Sequence, residues 1–139
     1  MRRIIPVLAV AAIIALAGCR AVPMHNPSDI AFAEPAAVES TPRLTLEDYK
    51  NAIIRAGAKR GWSFEEQAPG HLIGDVAVRG KHFATVDVLF NTEEFSIKYR
   101  DSRNLNYDAR RAEIHPNYNS WVTNLQKDIQ AEIIQMKAS

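Results

Sequence analysis

The chain has 139 residues, 17 Lys and Arg against 16 Asp and Glu, and a single cysteine. That length suits one domain with appendages, and one cysteine excludes an internal disulfide. A near-zero net charge argues against a nucleic-acid partner and against a broad basic footprint on membranes.

The chain starts Met1-Arg2-Arg3 and continues without charge from Ile4 to Ala17. As a helix this run would reach only roughly 21 Å at ~1.5 Å per residue, short of a ~30 Å hydrocarbon core. A basic start, an apolar middle and small closing residues predict a secretory signal over residues 1–18, not a membrane span. The run ends in Leu16-Ala17-Gly18-Cys19, "LAGC", which resembles the lipobox of bacterial lipoproteins. The resemblance implies that the sulfur of Cys19 receives a diacylglyceryl group, that a peptidase cuts before it, and that the new amine is acylated. Two or more chains, at ~0.8 kcal/mol per buried CH₂, give stable attachment where one does not. Loss of Arg2 and Arg3 would leave 15 basic against 16 acidic side chains. In lipoproteins of the enteric type an aspartate after the cysteine retains the protein at the inner membrane. Arg20 in its place implies an outer-membrane anchor facing the periplasm.

Residues 20–43 hold Pro23, Pro27, Pro35 and Pro42, many alanines and no hydrophobic period. With the lipidated Cys19 they are expected to form a disordered tether over 19–43, averaging about 27 Å end to end as a relaxed coil. The globular domain is expected at 44–139. Thr45 and Asp48 mark a helix start, with Leu46, Tyr49, Ile53 and Ala56 on one face and Gly61 as the stop. Short alternating runs follow. Trp62 to Phe64, "HLIGDVAVR", "HFATVDVLF" and "FSIKY" are separated by polar turns and predict an antiparallel meander with one face covered. Tyr118, Trp121, Val122, Leu125, Ile129, Ile133 and Met136 recur at three- and four-residue steps and predict a long amphipathic helix. The expected fold is α+β, a two-layer sandwich ordered α-β-β-β-β-α. Its four-stranded meander carries both helices on one face.

The best candidate for a binding surface lies between the last strand and the last helix. That loop is long and rich in Arg and Asn, and such loops in small domains are often functional. Tyr99, Arg100, Asp101, Ser102, Asn104, Tyr107, His115 and Asn119 together would suit a sugar or a peptide strand. The competing reading is structural: His115-Pro116 opens a helix, and Asp101, Ser102 and Asn104 are turn formers. Asp101, Ser102 and His115 do not make a persuasive hydrolase, because no glycine flanks Ser102 and no nucleophile elbow surrounds it. His71 and His82 could approach across a hairpin, yet two histidines without a further ligand fall short of a metal site. No cofactor motif is present.

The stretch "SIKYRDSRNLNY…IHPNYNSWVTNL", with an earlier "GW", resembles a group of small proteobacterial lipoproteins with no assigned activity. The resemblance covers most of residues 44–130 and implies a self-standing module without naming a catalytic residue. The expected function is a non-catalytic interaction or scaffolding module, anchored through Cys19 and contacting an envelope protein or peptidoglycan. The alternative is a ligand- or glycan-binding lipoprotein using the 99–119 surface.

Overall fold

A computed structural model describes residues 20–35 and 43–139. The signal segment, Cys19 and residues 36–42 lie outside the described residues. Helix α1 (Leu46–Ala58) starts at a capping box: Thr45 Oγ1 accepts from the Asp48 amide at 3.2 Å, and Asp48 Oδ2 accepts from the Thr45 amide at 2.7 Å. Two of the amides that every helix start leaves free are thereby bonded. The Thr45 amide, and after it the Thr45 hydroxyl, which also donates to Asp48 Oδ2 at 2.8 Å, hold the Asp48 carboxyl below its usual range.

Four consecutive antiparallel strands follow, β3 (Ser63–Ala68), β4 (His71–Val78), β5 (His82–Phe90) and β6 (Glu94–Arg103). Period-two alternation puts Leu72, Val76, Val86, Val88, Phe95 and Ile97 inside, where they share one core with Ile53 of α1 and Leu125 of helix α2 (Pro116–Lys137). Gly74 is inside as well, and the Phe64 ring occupies the space a side chain would need. A Cβ at Gly74 would stand 2.6 Å from Phe64 Cε1. Among the described residues no helix is long and apolar enough to cross a membrane.

The α+β class holds, but the strand count and order differ from expectation. A fifth strand, β2 (Ile30–Ala31), pairs with β6 and gives the order β2-β6-β5-β4-β3. A further small sheet joins β1 (Val22–Pro23) to β7 (Glu113–Ile114). Residues 22–34, expected to be loose tether, therefore form a strap folded along the sheet edge.

The strap is held in three ways. Its backbone pairs with β6: the Ile97 amide donates to the Pro27 carbonyl at 2.8 Å, and the Phe32 amide to the Glu93 carbonyl at 2.9 Å. Two carboxamides of α2 each grip it at both a donor and an acceptor. Asn119 accepts from the His25 amide and donates to the Pro23 carbonyl, both at 2.8 Å. Gln130 accepts from the Ala33 amide and donates to the Ala31 carbonyl, again at 2.8 Å. A primary amide carries the same donor and acceptor as a peptide group, so each acts as a one-residue strand partner. Finally, the Phe32 ring, 5% exposed, enters the core 4.4 Å from Tyr49 and 5.1 Å from Phe95, centroid to centroid. Pro23 and Pro27 do no harm at this edge, where only their carbonyls are used.

The alternating directions of the elements define two ends. The near end, where the chain comes in at Arg20, gathers the β4–β5 turn at 79–81, the loop 104–112 and the start of α2. The far end gathers the start of α1, the turns at 69–70 and 91–93, and the close of α2.

Candidate functional site

The eight candidate residues do not form one surface. A bulge in β6 sets Thr85 opposite Asp101 and Val86 opposite Tyr99, which leaves Arg100 between them without a partner. Such a bulge re-aims side chains. Tyr99 and Ser102 fall on the helix side of the sheet, and Arg100 and Asp101 on the open side.

On the open side, Arg100 Nη1 donates to Asp87 Oδ1 at 2.8 Å, and His71 Nε2 meets the same oxygen at 2.7 Å. Burial opposes ionisation of Asp87, but the bonds from His71 and Arg100 outweigh it and hold the carboxyl below its usual range. Asp101 is exposed and its Oδ1 accepts from the Ser102 amide. It lines a shallow groove of about 380 Å³ with Ser63, Asp75, Phe83, Thr85 and Arg103. The Arg103 guanidinium lies 4.1 Å over the Phe83 ring, a cation–π contact. The alternation of the strands predicts this face as solvated.

On the helix side, Tyr107 stacks on Tyr99 at 4.2 Å, and Tyr118 meets Tyr99 edge-on at 5.7 Å. Tyr99 Oη and Ser102 Oγ are 2.8 Å apart. Burial raises the Tyr99 phenol, with the bond to Ser102 working against the shift. The Tyr118 phenol is fully buried, its oxygen has no hydrogen-bond partner among the described residues, and desolvation pushes its ionisation far above the ordinary value. Only Tyr107, 41% exposed, offers a ring face to solvent.

The remaining three residues are engaged in holding the fold. Asn104 takes a positive φ of 59° and its Nδ2 donates to the Lys81 carbonyl at 2.6 Å, as suits an asparagine in the left-handed region. His115 caps α2, with Nδ1 accepting from the Asn117 amide at 3.1 Å and its own amide donating to the Leu105 carbonyl. Asn119 grips the strap. Ser102 thus bonds Tyr99 while His115 Nδ1 bonds Asn117, so Asp101, Ser102 and His115 are not linked as a triad requires.

His71 and His82 also part company. His71 opens β4 at the far end and His82 opens β5 at the near end, where Nδ1 lies 2.9 Å from the Asn104 carbonyl. The expectation that they approach across the hairpin is corrected: antiparallel pairing places His71 opposite Leu89 and His82 opposite Val78. Among the described residues no group of three or more His, Cys, Asp and Glu could hold a metal ion.

The residues that sequence reasoning missed are those of the strap. Their signal was faint: one aromatic, Phe32, within a Pro- and Ala-rich stretch, and two amides on an otherwise amphipathic helix. Against protein-family models, curated proteins and solved structures, the chain shows no match.

Proposed function

We propose that this chain is a lipid-anchored envelope lipoprotein, attached through Cys19 to the outer membrane and facing the periplasm. It acts by contact with another envelope component, a protein or peptidoglycan, and not by catalysis. The sandwich, a β3–β6 meander with α1 and α2 on its covered face, is the platform for that contact. One observation supports this reading most. The segment directly after the lipobox-like cysteine belongs to the fold, because Val22, three residues on, is already paired with Ile114. The sequence from the anchor onward is thus used to fix the domain at its attachment point.

The ligand-binding alternative draws on Tyr107, whose exposed ring lies on Tyr99. It is weakened because Asn104, His115 and Asn119 are already hydrogen-bonded within the fold. Titration with muropeptides separates the two: shifts of the Tyr107 ring resonances favour the ligand reading, and a flat response removes it.

The anchor has a direct test. In cells fed labelled palmitate, Cys19→Ser in the full chain is expected to abolish incorporation and release the protein from the membrane fraction. Undiminished incorporation would overturn the proposal.

A further inference from the structure

Charges that nearly cancel in sum are separated along the strands. At the near end stand Arg20, Arg79, Lys81, Arg103, Arg110 and Arg111, all exposed. Of these six, only Arg111 has a carboxylate within 4.0 Å among the described residues, that of Asp108. Asp108 is otherwise engaged with the amides of Arg110 and Arg111. Asp75, Asp101 and Glu113 are the other acidic groups there without a lysine or arginine partner, Asp75 accepting from the Thr85 hydroxyl, so the six basic groups still outnumber the acidic ones; Asp128 is bonded to Arg60. The far end has the opposite sign. Glu34, Glu47, Asp48, Glu66, Glu93 and Glu94 lie there, with Lys50, Lys137 and Arg43 as counter-charges.

The strap connects this polarity to the anchor. Val22 is the first paired residue, and Cys19 precedes it by three. At ~3.6 Å per residue the cysteine can stand no more than about 11 Å from the near end. A surface potential decays over a Debye length, about 8 Å at physiological salt. A loose tether of 24 residues would let the domain leave that field; three residues do not.

We propose that the near end docks on an anionic phospholipid surface, its basic side chains among the headgroups and the acidic far end turned away from the bilayer. This rests on the anchor at Cys19. Clusters of basic residues beside a membrane attachment are drawn to anionic lipid, and acidic groups are repelled by it. Both terms select the same orientation. The far end and the open face of the sheet are then the surfaces presented to a partner.

The test uses the full lipidated chain in vesicles containing a headgroup-quenching lipid. Cys19 is the only native cysteine, and in the lipidated chain its sulfur is blocked as the diacylglyceryl thioether, so a second cysteine can be labelled alone. Ala109→Cys places a fluorophore at the near end, and Thr92→Cys places one at the far end. In vesicles of phosphatidylcholine with about one third phosphatidylglycerol, quenching at 109 is expected to exceed that at 92 several-fold. The contrast should shrink at least twofold in pure phosphatidylcholine, at high salt, or when Arg79, Lys81 and Arg110 are together replaced by Glu. Equal quenching at the two positions, or a contrast indifferent to lipid charge, overturns the docking. The lipid comparison uses the unaltered charges, so its outcome does not depend on whether the triple variant folds. Flotation separates the two ideas: protein that floats with vesicles but shows no charge-dependent contrast refutes docking alone. Protein that fails to float refutes the anchor and the docking together.

Discussion

The two edges of the five-stranded sheet are closed by different physics. At one edge, β6 is covered by the strap, which supplies β2, backbone bonds from Pro27 and Phe32, and a core aromatic. At the other, β3 is exposed along most of its length and carries Glu65 and Glu66. An open row of amides and carbonyls invites another chain, and charge on the edge discourages it. Coverage contributes stability as well as protection. Charge contributes mainly protection, because the one ion pair it makes among the described residues, Glu66 with Lys50 at 2.8 Å, is solvent-exposed and worth little. The strap edge should therefore be costly to disturb and the β3 edge cheap.

Phe32→Ala should have the largest effect. Removing a buried aromatic costs about 3–5 kcal/mol, and in a domain of this size that lowers the melting temperature by more than about 10 °C. Thermal circular dichroism measures it. A loose leash would give a change within about 0.5 kcal/mol, and that result would break the comparison.

The amide grips come next. Gln130→Ala and Asn119→Ala should each cost about 1–2 kcal/mol and speed hydrogen exchange at the strap amides they bond, Ala33 and His25. Asn119→Asp should be worse than Asn119→Ala. A carboxylate can still accept from His25 but sets a negative charge against the Pro23 carbonyl, to which it cannot donate.

Acid should distinguish the strap from the helix pair. The strap is held mainly by groups that do not titrate, whereas α1 and α2 meet at Glu132, bonded to Lys59 and Arg55. The bond from Lys59, with that from Arg55 and against the cost of burial, holds the Glu132 carboxyl below its usual range. A depressed folded-state value means stability that is present above the unfolded glutamate pKa of about 4.3 and lost as pH falls through the folded value. Glu132→Gln should flatten that acid limb without altering the strap's exchange rates near neutrality. An unchanged acid limb would show that Glu132 does not govern it.

The smallest effect on folding is expected at the bare edge. Glu65→Thr with Glu66→Thr should change stability by no more than about 0.5 kcal/mol. Sedimentation velocity should nonetheless detect concentration-dependent association stronger than in the unaltered chain. Sedimentation identical to that of the unaltered chain would show that these charges do not guard the edge.

Much of this was legible in the chain. Thr45 and Asp48 announced α1, the alternation through Val76, Val86 and Ile97 announced the meander, and His115-Pro116 announced α2. These signals are local: a cap, a period of two, a period of 3.6. The strap was not legible, because a two-residue strand has no period and its partners lie far away in sequence. Pro27 meets Ile97, and Pro23 meets Asn119. The candidate site suffered from the same limit in reverse. Asn104, His115 and Asn119 carried a structural and a ligand reading side by side, because the carbonyls and amides they engage are set by tertiary packing. The net charge is silent on where the charges lie, since a sum carries no information about separation.

The strap lies lengthwise beside β6, and the chain enters it at Arg20, next to Cys19. Tension applied there along the strand strains its hydrogen bonds together, in shear. Tension applied across the strand opens them in turn, beginning at Val22. One attachment thus resists a pull along the molecule's axis and yields to a sideways one, a directional strength that a flexible linker could not provide.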